Sequence, residues 1–322
     1  MRLASATALA LVLLAGTAHA EKLVLYTSQS PEIAQETVDA FQAKHPDIEV
    51  EWTRNGTSQL MNVLRAEIEA GAVKPDVLLV ADTINLGQLK AEGRLMAYPD
   101  APVKGYDKGT YDKDMTFFGT KIISTGIAYN TKTAKPVTSW SELLDEGNRG
   151  QVAVPSPLYS GAALNHLHSV IADPSIGWSF YEKLADLDIA PQGGNGPAIK
   201  AVASGLAKYA IVVDANALRA KAQGSPVDFV FPKEGVSFIT EPVAIMSTAK
   251  APQAAKVFVD FLLSREGQEL AARQGNLPID PDVTPPAGFP RLSEIKLLPL
   301  DADKAVETDG AVREQFTEIF GG

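Results

Sequence analysis

The 322 residues carry 39 Asp and Glu against 29 Lys and Arg, a formal charge of −10, which argues against nucleic acid or an anionic membrane surface as a partner. With 45% hydrophobic residues a sizeable core is feasible, and with no cysteine there is no disulfide framework, thiolate metal site or cysteine nucleophile. The chain opens MRLASATALALVLLAGTAHA, with one cation at Arg2, an apolar run over residues 8–15 and small residues around Ala18-His19-Ala20. This is the pattern of a secretory signal peptide cleaved after Ala20, which places the mature chain in the periplasm. The run is shorter than the ~20 apolar residues that span a bilayer, and no later stretch reaches that length, so the chain is not expected to be membrane-embedded. A lipoprotein tether at this end would need a cysteine. Residues 21 onward exceed what one core usually serves and imply two domains.

From Leu23 short β-branched or leucine-rich runs alternate with amphipathic stretches, as in α/β layering around a mostly parallel sheet. Residues 22–26 are a first strand, and 31–44 a helix with Pro31 in its first turn and Ala34, Val38 and Phe41 on one face. Residues 48–52 are the second strand, 57–70 the second helix, with Leu60, Val63, Leu64 and Ile68 spaced for one buried stripe, and 76–80 the third strand. A run at 122–129 leaves this first unit. Ser139-Trp-Ser-Glu142 fits a capping box. Residues 152–154 are a strand and 160–171 a helix, and Asp173-Pro174 is expected to open another, with Asp173 as cap. The alternation continues through 197–204, 209–213, 215–222, 227–231 and 242–246 to helices at 252–263 and 266–273. Five prolines between 278 and 290 then carry the chain over the surface to a short helix near 313–320.

Several stretches in this order resemble one family: LVLYTSQ, PDVLLVAD followed by a helix ending LKAEGRL, TGIAYNT, TSWSELLD, PSPLYSGAAL, EPVAIM and AAKVFVDFLLSREGQELAARQGNLP. Together they look like the periplasmic substrate-binding proteins of ATP-binding-cassette importers, in the ferric-iron-like branch that also includes binders of phosphonates and phosphorylated solutes. The resemblance implies an α/β, two-lobed periplasmic-binding-protein fold, type II-like, with a hinge and an interlobe ligand cleft. Lobe one would comprise 21–123 plus 244–300, lobe two 124–243 with hinge strands at both ends near 124–129 and 241–245, and 301–322 a C-terminal tail. It further implies a monomer that binds a small molecule, uses no cofactor and delivers its ligand to the importer's membrane subunits.

In open α/β sheets, ligands lie beyond the carboxyl ends of strands, where loops lead into helix N-termini. Four such corners occur: Thr27-Ser28-Gln29, Asn55-Gly56-Thr57-Ser58, Asp82-Thr83 and Tyr159-Ser160-Gly161. Each brings a hydroxyl to a helix start, whose roughly half positive charge suits a phosphate, phosphonate or carboxylate. Thr57 and Ser160 alternatively do no more than cap their own helices. Asn195, in Gly193-Gly194-Asn195-Gly196, offers a further turn on the cleft wall without the context of a P-loop. Asp82, Asp214 and Glu241 are acidic candidates on strand ends. If they face the ligand, a zwitterion with a phosphonate or phosphate at one end and an amine at the other satisfies both sets of groups; otherwise the two aspartates cap helices. Arg54 and Arg219 are candidate anion partners.

Ferric binders of the branch hold the metal with clustered tyrosines, often an adjacent pair in lobe two. Here that segment reads Ile211-Val-Val-Asp214-Ala215-Asn216, without tyrosine, which departs from the pattern; a metal set, if one exists, would be Tyr26, Asp82, Tyr159 and Asp214. Of four histidines, His19 lies in the signal segment, His45 ends a surface helix, and His166 and His168 are two apart on a predicted helix, a spacing that faces opposite ways. No Gly-x-Ser-x-Gly elbow occurs, and aromatics are only 7% of residues, fewer than a polysaccharide-cleaving cleft usually shows. An enzyme is not expected.

Overall fold

A computed structural model describes residues 20–287, 289–290 and 294–321, so the expected signal peptide, Ala20 apart, lies outside the described residues. In chain order the first elements are β1 (Glu21–Thr27), α1 (Pro31–Lys44), β2 (Ile48–Arg54), α2 (Thr57–Glu69), β3 (Val77–Leu79), α3 (Thr83–Ala91) and β4 (Phe117–Gly119). There follow β5 (Ile123–Asn130), β6 (Val152–Ala153), α4 (Gly161–Ala172), α5 (Trp178–Asp186), α6 (Asn195–Ser204), β7 (Tyr209–Val213) and α7 (Asp214–Ala222). The last are β8 (Val227–Val230), β9 (Ser237–Ile239), β10 (Pro242–Ile245), α8 (Pro252–Leu263), α9 (Arg265–Arg273) and α10 (Ala302–Phe320).

Two sheets result. The first runs β2-β1-β3-β10-β4, parallel through β1 to β3 and antiparallel at β10 and β4. β3 is buried along its whole length, as a central strand covered on both faces must be, and so reads as a continuous apolar run. The Ser30 hydroxyl caps α1 by accepting from the Ile33 amide and Pro31 presets the first turn, which lays Val38 and Phe41 against the sheet. Leu23, Phe41, Phe118, Val243 and Phe258 lie in one core. The second sheet runs β6-β7-β5-β8, with β9 also on β5, and its core gathers Trp140, Leu167, Phe180, Ile211 and Phe316.

The chain passes between the sheets twice, after β4 and before β10, and the two passages are hydrogen-bonded side by side: Thr120 and Lys121 both donate to the Thr240 carbonyl, at 2.9 and 3.2 Å. Three local readings are corrected. Ser139 does start a helical segment, but a 3-10 turn at Trp140–Leu144, and Glu142 reaches back to Thr138 rather than to the cap residue. Asp173 ends α4 and closes a turn onto Ser175, and the next helix begins only after Gly177; Asp-Pro suits a turn as well as a helix start. The short C-terminal helix extends over Ala302–Phe320 and packs against both α3 and α5.

Candidate functional site

The carboxyl ends of β2 and β3 aim the N-termini of α2 and α3 at the N-terminus of α4 from the other lobe, and the three meet without a gap. Gly161 opens α4 so close to the first lobe that a β-carbon there would stand 2.6 Å from the Ala81 carbonyl oxygen, 2.7 Å from Asp82 Cβ and 2.9 Å from Thr57 Oγ1. Gly56 is the reciprocal contact, since its β-carbon would lie 2.5 Å from the Tyr159 carbonyl oxygen. Four hydrogen bonds stitch this seam: Ser58 N–H donates to the Tyr159 carbonyl (3.3 Å), the Ser58 hydroxyl to the Pro157 carbonyl (3.2 Å), the Tyr159 hydroxyl to Asn55 Oδ1 (3.4 Å) and the Thr83 hydroxyl to Asn165 Oδ1 (3.3 Å). Ala81 also packs on Ile123, Ala162, Val213 and Ile239, so the lobes share apolar as well as polar contact.

The candidates read from the sequence distribute around this seam. Thr57, Ser58, Asp82, Tyr159, Ser160 and Gly161 are on it. Ser28 stands one step behind, its hydroxyl accepting from the Ala81 amide at 3.0 Å. Ser160 caps α4 by accepting from the Ala163 amide at 3.3 Å and also accepts from Asn195 Nδ2 at 3.3 Å, while Asn195 Oδ1 takes the Val213 amide at 3.0 Å. Gly194, beside it, packs on the Tyr159 ring.

The carboxylates are engaged within the protein. Asp82 caps α3, accepting from the Ile84 and Asn85 amides at 2.7 and 3.1 Å, and burial pushes its carboxyl up from the usual carboxylate range against these hydrogen bonds. Asp214 does not cap its helix by the usual side-chain bond; its Oδ2 accepts from the Ser124 amide (3.1 Å) and hydroxyl (2.5 Å), tying α7 to β5. Fully buried, Asp214 is pushed up to about 6. Glu241 sits at the hinge, where Lys121 Nζ approaches to 2.6 Å and Gln29 Nε2 donates at 3.0 Å; Gln29 is thus a hinge residue as well. Lys121, Ser124 and Asn165 were absent from the sequence-based candidates: each makes its contact with a residue far along the chain or on the other lobe, and no local motif marks it.

Arg54 bonds the Gln29 carbonyl at 2.8 Å within its own lobe, whereas Arg219 reaches across to the Gln274 carbonyl at 2.5 Å. The four residues considered for a metal do not converge. Tyr26 donates to Glu67 at 2.8 Å inside lobe one, and its hydroxyl is pushed up to about 12 by burial and that carboxylate. Asp82 and Asp214 are committed as above. Among the described residues no group of three or more His, Asp or Glu is arranged to hold a metal ion. The two buried histidines of α4 do face opposite ways: His166 bonds Ser237 at 3.1 Å and leans on Trp140, its imidazole pushed down to about 3 by burial, while His168 meets Asp309 at 3.2 Å.

What the seam brings together is three helix N-termini from two lobes, whose partial positive charge suits an anionic group, with the side chains around them bonded to one another in this shut arrangement. Comparison with known proteins adds the following. The family described as bacterial extracellular solute-binding protein matches residues 27–269. An uncharacterized protein of Haemophilus influenzae is 25% identical over 275 residues, 81% of this chain and 78% of that protein. Among solved structures, the periplasmic binding protein AfuA of Actinobacillus pleuropneumoniae, with fructose-6-phosphate bound, superposes with a TM-score of 0.86 at 22% identity over 93% of this chain and 98% of that one. The ferric binding protein of Campylobacter jejuni superposes with a TM-score of 0.78 at 22% identity over 92% and 99%. The fold is accordingly the two-lobed α/β fold of periplasmic binding proteins.

Proposed function

The chain belongs to the bacterial extracellular solute-binding proteins, and from that premise we propose that it is the periplasmic, ligand-capturing component of an ATP-binding-cassette importer whose solute is a small phosphonate or phosphate ester. It binds rather than transforms its ligand and presents the shut form to the importer's membrane subunits. No helix among the described residues is long and apolar enough to cross a membrane, in keeping with a carrier that must reach those subunits. Lobe one is taken as 21–123 with 244–300, and lobe two as 124–243 with the hinge strands at its ends.

The observation that carries this reading is the meeting of three helix N-termini, from both lobes, at one seam. Each brings partial positive charge to the same place, so an anionic group held there would be attracted from both sides and would draw the lobes together. AfuA, a fold neighbour, was solved with a phosphate ester bound. Because Asp82 and Asp214 are occupied by their own hydrogen bonds, the anionic end of the solute is the part this seam is built to recognise.

The test is a thermal-shift screen of refolded, ligand-stripped protein against aminoethylphosphonate, sugar phosphates, inorganic phosphate, organic acids and ferric citrate. A ligand at ~100 times its dissociation constant adds ~2.7 kcal/mol and raises the midpoint visibly. A rise with a phosphonate or phosphate ester that Ser160→Ala weakens supports the proposal. A rise with iron alone, accompanied by tyrosinate-to-iron colour, replaces it with a ferric-iron binder.

A further inference from the structure

The C-terminal helix lies outside the candidate site, yet it touches every helix that forms the seam. Its second half belongs to lobe two: Val312 and Phe316 are part of that lobe's core, and Phe316 meets Tyr181 edge-on with ring centroids 5.8 Å apart. The segment leading into it runs beside Val236, which donates to the Lys296 carbonyl at 2.9 Å and accepts from the Leu298 amide at 2.8 Å; Leu298 enters the lobe-two core, while Ile295 and Val236 pack in the first core. Its first half rests on lobe one. Ala305 packs between Ile84 of α3 and Leu164 of α4, and Gly87 of α3 leaves so little room that a β-carbon there would stand 2.6 Å from Val306 Cγ2.

Polar contacts follow the same division. Asp309, buried at mid-helix, accepts from Arg313 Nε at 2.8 Å, pairs with His168 of α4 at 3.2 Å and accepts from Gln88 of α3 at 3.3 Å. The guanidinium so oriented points Nη1 at two atoms on opposite sides of the seam, Ser58 Oγ of α2 at 3.4 Å and the Pro157 carbonyl before α4 at 3.5 Å.

We infer that Asp309 and Arg313 are positioning residues for ligand capture: α10 travels with lobe two and takes hold of α3 and the α2 N-terminus only as the lobes shut. This rests on the reading that the lobes open and shut around a solute. The asymmetry of the contacts supports it. On the lobe-two side α10 is embedded through aromatic and aliphatic core packing at Val312 and Phe316, whereas on the lobe-one side it is held by small residues, Ala305 against Ile84 and Val306 against Gly87, together with one glutamine and one serine. Separation therefore occurs at α3, and the grip of α10 adds to the free energy of closure from behind the three N-termini without touching the solute. Arg313 is one side chain bonded to both lobes at the seam, and Asp309 is what fixes its direction.

The absence of cysteine makes the test direct. Val63 on α2 (47% exposed) and Leu206 in lobe two (77% exposed) are replaced by cysteine and spin-labelled, and the interlobe distance is measured by pulsed electron resonance, without ligand and with aminoethylphosphonate as probe. Gly87→Leu, Gln88→Ala and Asp309→Asn should each move population from the short to the long distance, on the order of tenfold for the first, with Gln88→Ala leaving the unfolding midpoint unchanged. Asp309→Glu should restore part of the short population. If Asp309→Asn fails to fold, Gly87→Leu and Gln88→Ala decide, because neither residue lies in a core. A distance distribution that both leave unchanged overturns the inference. Distances that answer to these substitutions but not to the phosphonate leave the clamp standing and remove the ligand assignment; the opposite result does the reverse.

Discussion

A buried carboxylate held by only three hydrogen bonds has consequences that can be read in solution. Asp214 is fully buried, accepts from Ser124 twice and from Ala215 once, and is pushed from 3.8 to about 6, chiefly by burial. Between those values the folded chain keeps a proton that the unfolded chain has released. The group's contribution to stability is therefore complete below pH ~4 and is lost as pH rises through about 6. Asp214→Asn has no charge to desolvate, so its unfolding free energy relative to the parent should improve between pH 4 and pH 8, by up to about 3 kcal/mol. Urea unfolding of both proteins at the two pH values measures the gap. A gap independent of pH would mean that Asp214 stays ionised where it sits. At this scale the sequence offered two alternatives for Asp82 and Asp214, ligand contact or helix cap. Asp82 is the cap; Asp214 is neither a standard cap nor exposed at the seam, because its partner Ser124 lies on a strand 90 residues away.

The same limit governs the elements. Strand-turn-helix order, with glycine and hydroxyl residues at the turns, sufficed to place the N-termini of α2, α3 and α4, because capping chemistry is local. Their mutual contact was not legible: Ser58 and Pro157 are 99 residues apart, and nothing near Gly161 says that a carbonyl of the other lobe will lie against it. The contact makes a sharp demand on side-chain size. In Gly161→Val the added atoms would meet the Ala81 carbonyl oxygen at 2.6 Å, and this is backbone that cannot swing aside. The lobes must part instead. Small-angle scattering should give a larger radius of gyration for Gly161→Val than for the parent in the same buffer, with far-UV circular dichroism unchanged because each lobe keeps its own core. Equal radii would show that the seam is not held shut at this point.

Across the whole molecule, two α/β units joined by two passages could be inferred from element order and from the resemblance, but the structure that holds the passages together could not. Lys121 reads as an unremarkable lysine between Thr120 and Ile122, and Glu241 as a strand-end acid available to a ligand. They form an ion pair at 2.6 Å with side chains only 4% and 5% exposed, linking the outgoing passage to the returning one. Glu241 adopts φ +37°, a left-handed backbone that costs a non-glycine residue about 1–3 kcal/mol, and it is held there by Thr120, which bonds its carbonyl at 2.8 Å, and by Gln29 on its carboxylate. A strained residue secured by partners from the other passage and from the β1–α1 corner gives the hinge a defined rest position. Removing the cation alone strands a buried carboxylate, so Lys121→Met should cost about 3–5 kcal/mol. Lys121→Met combined with Glu241→Gln should recover a large part of that loss, since the amide still accepts from Gln29 and leaves no charge behind. A double-mutant cycle by urea unfolding decides the matter: if the two single losses simply add, Lys121 and Glu241 are not coupled, and the alignment of the passages must come from the bonds to the Thr240 and Glu241 carbonyls.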